Sequence, residues 1–262
     1  MSISSYDSRP AVLVTGGGSG IGAAVARRLA TDYRVAICGR RSEPLERVTA
    51  DTGGLSIVGD VSVETDVKRI VQTAVGSFGQ LDGLVLNAGI LRAAPAAEMS
   101  LQDWRAQLDV NLTGPFMIAR EALPHLIKAK GALVSISSIG AIQVGAGLAA
   151  YSASKAGLTM LTQTIAFENA RHGMRANVIS PGWVRTEMGD MEMGSLGDGD
   201  PDAGYRLVTK LVPQRRPGDP REIAEAVAWL LSPQASYMNG AVINVDGGAA
   251  SVCASMTAFD AP

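Results

Sequence analysis

Ala11-Val12-Leu13-Val14-Thr15-Gly16-Gly17-Gly18-Ser19-Gly20-Ile21-Gly22 is a short apolar, β-branched run that breaks into glycines, and the helix-forming stretch 23–30 follows it directly. This order of strand, glycine turn and helix points backbone N–H groups and a helix N-terminus at one spot, and the glycines let that backbone approach a ligand closely. Such a spot suits a pyrophosphate. The spacing Gly16-x-x-x-Gly20-x-Gly22 differs from the Gly-x-Gly-x-x-Gly of long dinucleotide-binding proteins. A glycine-rich turn alone could equally be a tight strand-to-helix connection, so the rest of the chain has to decide.

Working outward, the pattern repeats. Arg34–Gly39 reads as a second strand, 55–59 as a third, Leu84-Val85-Leu86 as a fourth, and Val134-Ser135-Ile136-Ser137-Ser138 as a fifth. Residues 175–180 and 241–245 complete the set, and helical periodicity occupies the intervals, as in Glu64–Phe78 with apolar Val67, Ile70, Val71, Ala74 and Val75. Strands alternating with helices through short connections predict an α/β, Rossmann-like doubly wound parallel sheet of about seven strands with helices on both faces. Ligands of such sheets bind beyond the strand C-termini.

Several of those strand ends carry chemistry. The second ends in Gly39-Arg40-Arg41. An acidic residue there would accept hydrogen bonds from an adenosine ribose, whereas glycine followed by two arginines suits a 2'-phosphate. Charge-assisted hydrogen bonds of about 1.5–3 kcal/mol each would give a tenfold or greater preference for NADP even after screening. The same arginines could simply be a solvated helix start. The third strand ends in Asp60-Val61; Asp60 could accept from an adenine amino group, or Asp60 or Ser62 could cap the following helix. The fourth runs into Asn87-Ala88-Gly89, whose asparagine is suited to bridging neighbouring strand ends, and the sixth into Pro181-Gly182-Trp183-Val184-Arg185-Thr186, a turn able to present backbone groups to a planar ring.

Tyr151-Ser152-Ala153-Ser154-Lys155 places a phenol and an ammonium on one helix face. A phenol of ordinary pKa about 10 is a sluggish acid or base at neutral pH, and a neighbouring ammonium is expected to lower it. Ser138, leaving its strand just upstream, could face the tyrosine. Residues 101–130 read as mostly helix interrupted by Asp109-Val110-Asn111-Leu112-Thr113-Gly114; an asparagine and a glycine there predict a kink or a role for Asn111.

Composition narrows the function classes. The chain has 262 residues, 47% of them hydrophobic and 18% charged, and no Pro/Ser-rich linker divides it, so one domain over 1–262 is expected. A net charge of -2 offers no field for nucleic acid or anionic lipid. Cys38 and Cys253 form neither a metal spacing nor a disulfide framework, and His125 and His172 are isolated, so no metal site is expected and a reducing cytoplasm fits best. The start of the chain, residues 1–9, is polar and reads as a loose arm rather than a signal peptide. The uncharged stretch 131–154 is rich in glycine and serine and reads as buried strand, loop and helix, not as a membrane span. In 187–213, Met188, Met191 and Met193 alternate with glycine and acidic residues before a short helix-like piece. A long loop acting as a substrate lid is the preferred reading, with an exposed acidic loop as the alternative.

Taken together, Thr15-Gly16-x-x-x-Gly20-x-Gly22, Asp60-Val61, Asn87-Ala88-Gly89, Asn111, Ser138, Tyr151-x-x-x-Lys155, Pro181-Gly182 and the closing Val245-Asp246-Gly247-Gly248 resemble the short-chain dehydrogenase/reductase family over nearly the whole chain. One departure is Leu86, where the family often has a second asparagine. The resemblance implies a catalytic tetrad of Asn111, Ser138, Tyr151 and Lys155, with Asn111 supporting a water relay to Lys155. It implies cofactor contacts from Gly16, Ser19, Gly20, Ile21, Gly22, Arg40, Arg41, Asp60, Val61, Asn87, Ala88, Gly89, Tyr151, Lys155, Pro181, Gly182, Val184 and Thr186. It also implies a homotetramer, a small carbonyl or alcohol substrate, and NADP(H) as the preferred cofactor with NAD(H) possible. An NADPH-dependent ketone or keto-acyl reductase is the leading expectation. An NAD-dependent alcohol or sugar dehydrogenase and a catalytically silent cofactor-binding protein are the alternatives. Ile139, Gln143, Val144, Leu148, Trp183 and 188–193 are the expected substrate-pocket walls.

Overall fold

The computed structural model describes residues 7–251; Cys253, the tail beyond Ser251 and the first six residues of the expected arm lie outside the described residues. Within the described part of the arm, Arg9 donates to the carbonyl of Ala30 at 2.7 Å, and its own carbonyl accepts from Arg34 at 2.8 Å, so that end is tied to the domain.

Seven parallel strands form one sheet in the order β3-β2-β1-β4-β5-β6-β7. They are β1 (Ala11–Thr15), β2 (Arg34–Gly39), β3 (Leu55–Val58), β4 (Gly83–Leu86), β5 (Ala132–Ile136), β6 (Arg175–Pro181) and β7 (Val242–Val245). The chain winds outward from β1 to β3, then returns to place β4 on the other side of β1. The connections leaving β1 and β4 therefore diverge, which opens a crevice at the carboxyl rim.

Alternation along each strand decides which layer it feeds. Val12, Val14, Val35, Ile37, Val85 and Val134 pack on one face against α1 (Gly20–Leu29), α2 (Ser42–Thr52) and α9 (Pro220–Leu231). Leu13, Ala36, Cys38, Leu84, Leu86 and Leu133 pack on the other against α3 (Glu64–Phe78), α5 (Gly114–Ala129) and α6 (Ala149–Asn169). Leu13, Leu84 and Leu133 are completely buried, each contributing about 1.5–3 kcal/mol. Burial on both faces explains why these strands read as nearly continuous apolar runs. Among the described residues no helix is long and apolar enough to cross a membrane.

Three expectations change. The fifth strand stops at Ile136 rather than Ser138, leaving Ser137 and Ser138 beyond the sheet. The interruption in 101–130 is a π-helical turn, Asp109–Thr113, between α4 (Leu101–Leu108) and α5. Finally, 187–213 is not a long loop but largely a helical hairpin, α7 (Glu187–Leu196) and α8 (Pro201–Val208). Side chains supply its caps: Thr186 accepts from the N–H of Gly189 at 3.0 Å and Asp200 from that of Asp202 at 2.9 Å, with Pro201 opening α8. Tyr205 donates to the carbonyl of Val184 at 3.2 Å, and Met193 fills the interface completely buried.

Candidate active site

The glycine turn is held open by its neighbours. Thr15 ends β1 with its hydroxyl accepting from the N–H groups of Asn87 (2.9 Å) and Ala88 (3.1 Å) while donating to the carbonyl of Val85. Asn87 returns the contact, donating through Nδ2 to the carbonyls of Thr15 at 2.9 Å and Gly16 at 3.2 Å. The expected bridge between strand ends is thus present, and it joins β1 to β4. Gly16 has φ of +66°, and a Cβ on Gly22 would fall 2.2 Å from the Gly16 carbonyl oxygen. Both positions require glycine. Ser19 is exposed at the start of α1 with no capping bond from its hydroxyl, and Ile21 packs onto the core beneath.

The remaining expected cofactor residues are distributed along the same rim. Arg40 and Arg41 leave β2 exposed, Arg41 paired with Glu187 at 3.3 Å. Asp60 spends its carboxylate on Ser62, accepting from its N–H at 2.9 Å and its hydroxyl at 2.7 Å, while Asp66 accepts from the N–H of Asp60. Helix α3 starts after Val63 with no side-chain cap, so Asp60 closes a turn rather than capping the helix. Val61 is buried, and its carbonyl lies against Gly114. Pro181 ends β6 beside Val245; Gly182 donates to the Val245 carbonyl at 3.1 Å. Val184 forms a bridge with Gly218, and Thr186 lies against the glycine turn, its Cγ2 3.2 Å from where a Cβ on Gly20 would sit. An exposed hydroxyl at a helix N-terminus, a backbone cradle with room for nothing larger than hydrogen, and two arginines at the end of β2 fit a nicotinamide dinucleotide.

Tyr151 and Lys155 rise from the first turns of α6, and Ser138 and Gly140 face them from the segment beyond β5. Ser138 accepts from the N–H of Gly140 at 3.0 Å, and its hydroxyl is near enough to Tyr151 to act on the phenol's pKa. Lys155 Nζ stands 5.7 Å from the centroid of the tyrosine ring and donates to the carbonyl of Ile136 at 2.9 Å. Burial lowers the ammonium to about 8. The expectation that Lys155 draws the phenol below its ordinary value is reversed: burial pushes Tyr151 up, the Ser138 hydroxyl draws it back, and the charge of Glu192 on α7 adds to the push.

Asn111, wholly buried in the π-helical turn, completes the set. Its Oδ1 accepts from the N–H of Ile90 at 2.8 Å, and its Nδ2 donates to the Ile90 carbonyl at 2.9 Å and to Ser154 at 3.1 Å. Both amide protons are therefore committed, and any relay contact falls to its oxygen's second lone pair or to its main chain. A Cβ on Gly89 would sit 3.4 Å from both Asn111 Oδ1 and Lys155 Nζ, so those two groups converge on one space. All four residues of the expected tetrad thus meet at the rim.

Sequence reasoning did not single out Thr15 and Ser154 as supports, or Glu192 as a neighbour of the phenol. A threonine closing a strand directly before a glycine turn was a signal for the first; nothing local marked the other two. Among the expected pocket walls, Gln143 donates to the carbonyl of Ala249 at 3.2 Å, Val144 is 99% exposed, and Trp183 lines a cleft of about 320 Å³ with Asn244, Asp246 and Glu222.

Known proteins share this sequence pattern and fold. A family model described as enoyl-(acyl carrier protein) reductase matches residues 16–250. The chain is 38% identical over 247 residues to 3beta-hydroxysteroid dehydrogenase 1 of Eggerthella lenta, covering 90% of this chain and 92% of that protein. It is 37% identical over 247 residues to glucose 1-dehydrogenase 2 of Bacillus subtilis, covering 90% and 93%. Among solved structures, that of levodione reductase superposes with a TM-score of 0.90 at 33% identity, covering 93% of this chain and 98% of that one. With the match spanning the glycine turn, the Asn111 turn, Ser138 and the Tyr151–Lys155 helix, the chain belongs to the short-chain dehydrogenase/reductase family, oxidoreductases that use a nicotinamide cofactor on CH–OH or C=O groups.

Proposed function

We propose that this protein is an NADPH-preferring reductase of a ketone or keto-acyl group, acting through Asn111, Ser138, Tyr151 and Lys155 within one catalytic domain. The observation that carries the reading is the convergence of the Ser138 hydroxyl, the Tyr151 phenol and the Lys155 ammonium at the rim beside the glycine turn. Gly16, Gly20 and Gly22, with Ser19 and the Asn87-Ala88-Gly89 turn, would hold the dinucleotide, and Arg40 and Arg41 its 2'-phosphate. When bound, the nicotinamide supplies the two-electron donor or acceptor at its C4 position.

The chain's own residues handle the proton. The Ser138 hydroxyl accepts from the Gly140 N–H and would turn its proton from Tyr151 to a carbonyl oxygen, stabilising the charge that develops there. Tyr151, kept protonated by burial, gives its proton to the same oxygen. Lys155 then faces the phenolate that remains, and Asn111 positions Ser154 and the Ile90 main chain around it. The α7–α8 hairpin acts as the lid, since Glu192 reaches the field of Tyr151 from it. Exposed Phe116, Met160 and Phe167 on α5 and α6 support a homotetramer, and the composition supports a cytoplasmic protein.

The dehydrogenase names of the two relatives favour a second reading, oxidation of an alcohol, for which NAD would be the cofactor. Parallel assays with NADPH and NADH against cyclic ketones, aryl ketones, keto esters and sugars separate the two. Under the proposal NADPH supports turnover with a kcat/KM at least about tenfold above NADH, and Arg40→Ala/Arg41→Ala brings the ratio close to one. Turnover with NADH alone would establish the second reading.

Lys155 also sets a pH dependence. Below about 8 it carries its proton and its charge opposes the phenolate left after proton donation; above that it is neutral. For reduction, kcat/KM should hold through neutral pH and fall as pH rises through about 8. A profile rising across that range would contradict a charged Lys155 as the working form.

A further inference from the structure

The pair between Arg41 and Glu187 joins two parts of the molecule that nothing in the local sequence brings together. Arg41 follows β2, Glu187 is the first residue of α7, and 146 positions separate them. Other guanidiniums nearby find partners close in sequence or within the hairpin: Arg47 pairs with Glu43, and Arg185 with Asp190 and Asp202. The Arg41 contact instead crosses from the β2 turn to the start of the hairpin. Glu187 also lines an open cleft of about 850 Å³, together with Gly18, Ser19, Gly20 and Thr186. The glycine turn and the start of the hairpin thus border one cleft, and the ion pair ties the residue after β2 to that start.

We propose that Glu187 is a cofactor-selecting residue: it competes with the 2'-phosphate of NADPH for Arg41, so that the phosphorylated cofactor breaks the tie between the β2 turn and α7 while NADH leaves it in place. The inference rests on the NADPH reading above. A carboxylate and a phosphate monoester both accept from a guanidinium fork, and Arg41 cannot face both in full. The 2'-phosphate brings more charge and more acceptor oxygens, so it wins, at a cost to NADPH binding equal to the pair it displaces. Arg41 and Glu187 are 64% and 59% exposed, so the pair is solvent-screened and the cost is small. The cofactor without that phosphate makes no demand on Arg41 and pays nothing.

The test is direct cofactor binding by calorimetry or by quenching of tryptophan fluorescence, with NADPH and NADH titrated in parallel into the full chain. Glu187→Gln keeps the shape of the side chain at an exposed helix start. It should tighten NADPH about two- to fivefold and leave the Kd for NADH unchanged. In an Arg41→Gln background the same substitution should change neither Kd, because the competition has lost its object. The gain in the single variant should also shrink as salt is raised. Equal tightening of both cofactors, or a gain that persists without Arg41, would overturn the proposal, as would an unchanged NADPH Kd in Glu187→Gln. The two levels separate cleanly. If Arg41→Gln and Arg40→Gln lower the NADPH preference while Glu187→Gln does nothing, only the competition is wrong; if neither arginine affects the preference, the NADPH reading itself fails.

Discussion

Tyr151→Phe is expected to fold, to bind its nicotinamide cofactor within about twofold of the parent, and to turn over about a thousandfold more slowly. The substitution removes one hydroxyl and keeps the ring that packs at the start of α6. The lost atom is the one that feels the Ser138 hydroxyl and is held protonated by burial, while the cofactor cradle of Gly16 and Gly22 is built by Thr15 and Asn87 without any help from the phenol. Cofactor titration and steady-state rates on the same preparation measure both halves. A variant retaining most of its activity would show that the proton comes from elsewhere. A variant with lost cofactor affinity would show that the phenol holds the dinucleotide rather than the substrate oxygen.

Gly22→Ala should be as damaging, by a different route. Its new methyl would lie 2.2 Å from the carbonyl oxygen of Gly16 and 2.5 Å from Asn87 Nδ2, and neither is the loose end of a flexible chain. Relief requires α1 to move off the turn or Asn87 to release β1. Overpacking of this kind costs about 1–3 kcal/mol, a fall in Tm of about 3–10 °C for a domain of this size. Cofactor affinity should drop at least about a hundredfold, because the backbone N–H groups that face the phosphates would be displaced. Thermal melts and cofactor titration measure the two effects, and a variant normal in both would mean that the turn tolerates a side chain and does not shape the phosphate site.

The sheet was legible because its information is local. Apolar β-branched runs ending in glycine or asparagine mark the strands, and their burial on both faces leaves little ambiguity about the layer between them. The tetrad was legible for a related reason: Tyr151 and Lys155 share one helix, and Ser138 follows closely on a strand whose end must lie on the same rim. What stayed hidden depends on contacts between distant segments. Arg41 meets Glu187 across 146 positions of chain, where the hairpin begins. The hairpin was misread as a loop because Gly189, Gly194 and Gly197 dilute its helical pattern. Its caps at Thr186 and Asp200-Pro201 were present in the sequence but carry weight only once Tyr205 and Met193 close the interface. The shift of the Tyr151 phenol was hidden too, since a two-residue motif reveals a neighbour's charge but not how much water the fold removes around it.

The π-helical turn at Asp109–Thr113 has a hereditary side. Such a turn holds one residue more than the α-helix it interrupts, and each residue of a helix turns the chain by about 100°. Loss of a single codon there would let the segment close into an unbroken helix. Asn111 would then leave its place beside Ile90 and Ser154, or the stripe of Ile118, Ala122 and Leu126 on α5 would rotate away from the sheet. A missense change at one of these positions alters one side chain, whereas a one-codon deletion shifts the angular register of everything after it. The five-residue turn should therefore tolerate substitution at its exposed positions far more readily than any change in length.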